Sequence, residues 1–330
     1  MNPLRSFFSR WQNWLGLVIV LFFVFAAVAA PLLSPMDPKA PGTIKIVGNP
    51  NDFLPHPPSA EAPLGTLSNG ISVYHSLVWG ARNALLFGFI VAMLSMCIGV
   101  LIGTFSAYSG GFLNSFLMRV SDAFLSFPII AGIVLVNQVF TTLLAHALVI
   151  YAGAGQGGVS TQALSLLQFQ KNLPLWVIVL QKIDPVMVAF ILFSWMPYAR
   201  MMNTMVLQLS QTEYVVAARA LGAKRSRILF RHLMPNAITP AVVLAAKDVG
   251  GMVLLQAIFT FVGLGNDSPW GMLLVKGRDW IISPGGILTF WWVFVPATLA
   301  LILFGIGWNL LGDGINDALN PRSGTSYQND

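Results

Sequence analysis

The chain has 330 residues, of which 56% are hydrophobic and 9% charged, with a formal net charge of +6. Soluble domains carry about 25% charged residues, so the composition argues against a soluble enzyme or a nucleic-acid-binding domain, and the positive charge is read as a membrane-orientation signal. A single cysteine, Cys97, excludes an internal disulfide and a cysteine-ligated metal cluster.

Six apolar stretches are expected to cross a membrane: Trp14–Leu33, Ala84–Tyr108, Phe124–Ala147, Val186–Met202, Ile238–Val262 and Ile287–Leu311. A spanning helix takes about 20 apolar residues. Arg5 and Arg10 before the first stretch resemble a secretory leader. The run is long enough to span and closes on Pro-Leu-Leu-Ser-Pro, so it reads as a retained first helix, with cleavage at "AVAA", Ala27–Ala30, as the alternative. The fourth stretch is short, with Leu173–Leu180 as a rival or an extension. The first segment is thus 1–33, followed by an extracytoplasmic loop 34–83, a five-helix core 84–322 and a tail 323–330.

With the N-terminus inside, the cytoplasmic segments hold Arg5, Arg10, Arg119, Arg200, a cluster from Arg219 to Arg231, and Arg322. The outer segments hold Lys39, Lys45, Arg82, Lys171, Lys182, Lys276 and Arg278, spread over longer loops. This bias places both termini on the cytoplasmic side. On the outer side, Ser34 to about Pro63 is rich in proline and glycine and reads as an irregular loop. The loop 148–185 includes a flexible Gly153–Gly158 turn, and the loop 264–286 is apolar enough to dip back toward the membrane. Trp270, Trp280, Trp291 and Trp292 are expected at the headgroup level, where amphipathic rings gather. Gly99 and Gly103, four apart, mark a close helix approach.

The stretch "QTEYVVAARALGAKRSRILFRHLMP", Gln211 to Pro235, is the exception to this apolar text. Ser210-Gln211-Thr212-Glu213 has capping-box spacing, so a helix is expected to start there. Gly222 permits a left-handed stop, and a second short helix is expected from about Lys224 to Leu233, until Pro235 interferes. Glu213, Ala217 and Leu221 share one face, with Ala218 and Gly222 on the neighbouring one. Two uses fit this piece: a basic loop on anionic lipid, or a docking helix for a cytoplasmic protein.

"AARALG" at Ala217–Gly222 with "RHLMPN" at Arg231–Asn236 resembles the EAA loop of bacterial ABC importer membrane subunits. "PLGT" at Pro63–Thr66, "GARNALLFG" at Gly80–Gly88, "LMRVSDAFLSFP" at Leu117–Pro128 and "FTFVGLG" at Phe259–Gly265 resemble the dipeptide/oligopeptide/nickel permease family, as do "PWGMLL", "GRDW" and "WNLLGDGINDALNPR" at Trp308–Arg322. The match is to the second of the paired permeases and runs from Pro63 onward.

The resemblance implies an all-α integral membrane protein of six spans with the type I ABC importer permease fold. It implies half of a translocation pathway for peptides or similar small solutes, a homologous permease beside it, two cytoplasmic ATP-binding subunits and an extracytoplasmic substrate-binding protein. The cytoplasmic loop 203–236 would couple to the ATPases through Glu213, Ala217, Ala218, Arg219, Gly222, Lys224, Arg225 and Pro235. Trp270, Lys276 and Arg278 would face the binding protein. ATP and magnesium would sit on the partner subunits, and this chain would hold no cofactor, no metal and no catalytic residue. The location implied is the bacterial cytoplasmic (inner) membrane.

The sequence departs from the family pattern where Val216 stands in the place of the usual glutamate, at Met234-Pro235, and at Leu67–Val73 after "PLGT"; Gln138–Asp184 is also long for the family.

No Gly-x-x-x-x-Gly-Lys-Ser/Thr phosphate loop occurs, nor a Gly-x-Ser-x-Gly elbow, and the four histidines lack metal-ligand spacing. Asp122, Lys247 and Asp248 are the ionisable groups in or beside the spans, expected to line the pathway or to pair between helices. Asp313 and Asp317 are expected at a cytoplasmic contact with the ATPase or the basic loop. The alternatives are a stand-alone secondary transporter, which would want internal repeats and broken helices, or a same-family permease for nickel or oligosaccharides.

Overall fold

The computed structural model describes residues 6–36, 42–152, 174–264, 268–282, 286 and 289–319. Most of the loop 148–185, with its Gly153–Gly158 turn, lies outside the described residues, as do Lys39, Lys171, Arg322 and the tail 323–330. The main elements are α1 (Trp11–Val28), α2 (Val73–Ser109), α3 (Gly111–Ser126), α4 (Ile129–Ala152), α5 (Leu175–Lys182), α6 (Pro185–Ser194), α7 (Met196–Leu209), α8 (Glu213–Ala220), α9 (Arg225–Ile228), α10 (Thr239–Phe261), α11 (Pro269–Gly277) and α12 (Trp291–Leu319). Among the described residues six spans are long and apolar enough to cross a membrane, the fourth built from α6 and α7 together.

The spans differ from expectation in their bounds: the third starts at Ile129, since Phe124 belongs to α3 ahead of Pro128, and the sixth runs to Leu319. The fourth is not short: it runs Pro185–Leu209. Arg200, Asn203 and Gln208 lower its hydropathy without ending the helix. The second begins well before Ala84, at Val73, because Ser72 caps it by accepting from the His75 N–H at 3.3 Å. At 1.5 Å per residue its 37 residues reach roughly 55 Å, beyond the ~30 Å apolar slab.

That extension holds the outer loop. Ser34 Oγ and the buried His75 Nδ1 lie 2.7 Å apart, and the Trp79 indole N–H donates to the Ser34 carbonyl at 2.9 Å. The loop is irregular, as expected, yet pinned by antiparallel bridges Ile46–Ile71 and Thr66–Ser72. Asp52 accepts from the Leu54 N–H at 3.0 Å and meets His56 at 2.7 Å. The Leu54 N–H first, and His56 second, hold its carboxyl below the usual range.

The α2 helix is the spine, with α7, α10, α1 and α11 against it. Gly99 and Gly103 let it meet α7 backbone to backbone. A Cβ on Gly103 would collide with the Ala199 carbonyl, and one on Gly99 with that of Trp195. On the other side α10 packs against α12, and α12 against α1. The short α11 is wedged between α2, α10 and α12. It starts at Ser268, whose Oγ accepts from the Gly271 N–H at 3.3 Å, with Pro269 in its first turn.

Candidate functional site

The basic loop folds as a helix, a glycine turn and a second helix at one end of the bundle. The capping box does not form. Ser210 keeps helical dihedrals (φ −63°, ψ −17°), so α7 runs further than the pattern suggests and the first cap position falls on Thr212. Both hydroxyls are spent on the end of α7: Ser210 Oγ donates to the Leu207 carbonyl at 2.7 Å and Thr212 Oγ1 to that of Leu209 at 2.6 Å. Carbonyls in the last turn of a helix run short of helical donors; that of Leu209 also accepts from the Thr212 N–H at 3.2 Å.

Helix α8 is anchored by Val215, 0% exposed, within a cluster of Tyr198, Met202, Val206, Ile228, Leu229 and Leu233. Ala218 packs against the same cluster, so the neighbouring face expected to be smooth is turned partly inward. Glu213, Ala217 and Arg219 are exposed, together with Tyr214, Val216 and Leu221. Leu221 is 88% exposed, an apolar tip that nothing among the described residues covers.

The stop at Gly222 is a Schellman turn. The Ala223 N–H donates to the Ala218 carbonyl at 3.1 Å, and the Gly222 N–H to that of Arg219 at 3.0 Å. Gly222 has φ +76°, and a Cβ there would meet nothing within 4 Å. The second helix differs from its expectation. α9 covers only Arg225–Ile228, a wide π turn follows at Leu229–Leu233, and the chain resumes as a helix at Met234–Ala237. Pro235 has no N–H and crowds the carbonyl four residues back, and the wide turn sits at that place. Lys224 and Pro235 are exposed.

The ionisable groups are paired across helices. Lys247 on α10 reaches Asp313 on α12 at 2.6 Å. Asp248, one residue on and about 100° around the helix, accepts from the Tyr198 hydroxyl at 2.6 Å. Asp122 lies on α3, before the third span, and meets Arg200 at 3.0 Å. Asp317 takes Arg10 at 3.4 Å and the Asn13 amide at 3.2 Å. Asp313 and Asp317 therefore meet neighbouring spans and, among the described residues, not the basic loop.

Trp270 is also corrected. It is 1% exposed, its N–H donates to the Leu77 carbonyl at 3.0 Å, and its ring packs edge-on against Phe23 and Phe304. The bare Gly80 on α2 makes room for it. A ring so enclosed neither meets a headgroup nor touches a binding protein. Trp292 is buried as well. Lys276 and Arg278 remain exposed on that side.

Sequence reasoning missed Tyr198 as the partner of Asp248. It also missed a polar knot in which Asn114 Oδ1 accepts from Ser106 Oγ at 2.7 Å and from Asn203 Nδ2 at 2.6 Å. The signal available was an amide inside an apolar segment, which needs a partner when buried.

Six apolar spans, with an exposed basic helix pair between the fourth and the fifth, define the class: a multi-pass membrane protein. Residues 99–324 match the family described as the binding-protein-dependent transport system inner membrane component, and the chain belongs to that family. Residues 4–58 match the N-terminal transmembrane domain of oligopeptide transport permease C. Relatives include a dipeptide transport system permease protein of Alkalihalophilus pseudofirmus, 28% identical over 98% of this chain and 91% of its own. The oligopeptide transport system permease protein of Bacillus subtilis is 27% identical over 97% and 89%. A di/tripeptide permease of Pseudomonas aeruginosa is 29% identical over 97% and 93%.

Proposed function

We propose that this chain forms half of the translocation pathway of an ATP-driven importer of short peptides. A homologous permease supplies the other half, and two cytoplasmic subunits bind ATP and magnesium. A substrate-binding protein delivers the peptide from outside the bacterial cytoplasmic membrane, and both termini lie inside. The peptide class is supported by the relatives' stated substrates.

The observation that carries the coupling reading is the α8 surface. It is a short helix pinned from below by Val215 and stopped by the Gly222 turn, with Glu213, Ala217, Arg219 and Leu221 left outward. A rigid piece anchored to α7 and α10 moves those spans when its outer face is pulled. Each ligand of the complex must favour one state by differential contacts, and ATP-driven closure of the partners supplies that through this face. Lys276 and Arg278 are the residues offered to the binding protein.

The test is purification of a tagged chain from native membranes in mild detergent, followed by identification of co-purifying subunits. A second permease with one or two ATP-binding subunits is the expected result. A stable chain that elutes alone would return the basic loop to lipid binding.

A further inference from the structure

A hollow of about 260 Å³ opens where the fourth span bends, between α3, α6, α7 and α10. Phe124 and Phe127 line it from the end of α3, Phe193 and Ser194 from α6, and Asp248 from the middle of α10. The rings lie close together, with Phe193 5.7 Å from Phe124 and 6.1 Å from Phe127 between centroids. Pro197, also in the wall, has no N–H, so the Phe193 carbonyl lacks its donor four residues on. Among the described residues no basic side chain lines this space.

The nearby cations are held elsewhere. Lys247 is turned to Asp313 on α12, and Arg200 is held by Asp122. Asp248 receives one hydrogen bond, from the Tyr198 hydroxyl to Oδ2, and its Oδ1 takes none among the described residues. A carboxylate at this depth is costly unless a positive partner arrives. Phenyl faces attract cations as well, most strongly where water is excluded. A carboxylate and three rings together suit a primary ammonium rather than an anion or a neutral solute.

We propose that this hollow is a transit site for the ammonium group of the substrate, with Asp248 as its charged partner and Tyr198 as the residue that positions that carboxylate. The inference rests on the peptide-import reading, because a short peptide carries such an amine. The hollow is too small for a whole peptide and fits one end of it. Its remaining acceptors are few, so the site holds an amine in passage without trapping it.

The test uses the complete importer in proteoliposomes, with loaded binding protein and ATP, and a short peptide bearing a free amine. Asp248→Asn keeps the volume and can still accept from Tyr198 but removes the charge. Loss of a charge-assisted contact predicts a fall in maximal uptake of about tenfold or more, with the half-saturating binding-protein concentration unchanged. Asp248→Glu should keep more than half of the uptake. Tyr198→Phe removes the hydrogen bond that positions the carboxylate but keeps the charge, and should cost about threefold to fivefold, less than Asp248→Asn.

Wild-type uptake in Asp248→Asn overturns the proposal. So does equal loss in Asp248→Asn and Tyr198→Phe, which would mark a structural hydrogen bond, and so does a loss in Asp248→Glu as large as in Asp248→Asn. If the wild-type complex drives no peptide uptake, the import reading itself has failed, a result separate from any difference among the variants, and the ammonium site falls with it.

Discussion

Replacing Gly222 tests whether the shape of the basic loop, rather than its charge, couples the permease to its partners. Gly222 sits at φ +76°, and a Cβ at this position would have nothing within 4 Å, so a new side chain meets strain but no clash. The left-handed conformation costs an L-residue about 1–2 kcal/mol. A difference of that size changes the population of the closed Schellman turn by about fivefold to thirtyfold. No buried residue moves, so yield and thermal stability of the complex should stay near wild type. Gly222→Val should uncouple: ATP-driven uptake in proteoliposomes falls severalfold while the complex still assembles. Gly222→Asn, which tolerates the left-handed region, should retain most of the uptake. Gly222→Trp adds bulk on the outward side and should abolish it. If Gly222→Trp leaves uptake at the wild-type level, the docking assignment is wrong. If Asn harms as much as Val, the backbone argument is wrong.

Val215→Ala should loosen α8 by about 2 kcal/mol, the loss of a fully buried pair of methyls, seen as faster amide exchange across residues 213–220. Trp270→Ala should cost about 3–5 kcal/mol and lower the melting temperature of the complex sharply, whereas Lys276→Ala with Arg278→Ala should leave it unchanged and weaken capture of the binding protein. Asp313→Asn should cost no more than about 1 kcal/mol, since both partners of the Lys247 pair are partly exposed (34% and 50%); a double-mutant cycle with Lys247→Met measures it. Asp52 has a lowered carboxyl, so the order it lends the outer loop is present above the ordinary carboxylate range and is lost as pH falls through the depressed value; exchange of the Leu54 amide against pH reads this directly.

The places where the sequence reading fell short share one cause. Asp313 and Asp317, spaced four apart, look like a surface pair, yet α1 and α10 bring Arg10 and Lys247 to them from far along the chain. Trp270 looks like a headgroup ring, yet Gly80 on α2 leaves a space that only a large ring fills. Ser210 and Glu213 have capping-box spacing, yet the preceding helix continues through Ser210 and takes its hydroxyl. In each case a local pattern was legible and the structure around it was not.

Apolar run length is a local quantity, because each spanning helix must satisfy its own backbone in lipid. That is why six spans, the close approach at Gly99 and Gly103, and the stop at Gly222 could be read from the amino-acid order alone. The family motifs were legible for the same reason, as short contiguous strings. Which face of each helix turns inward is a matter of packing between distant segments. Only the tertiary structure decided that Lys247 belongs to α12, that Asp248 belongs to Tyr198, and that Asp248 shares a hollow with Phe124, Phe127 and Phe193. Neighbours on a helix point about 100° apart, so two adjacent charges are sent to two different places by the helices that happen to lie there.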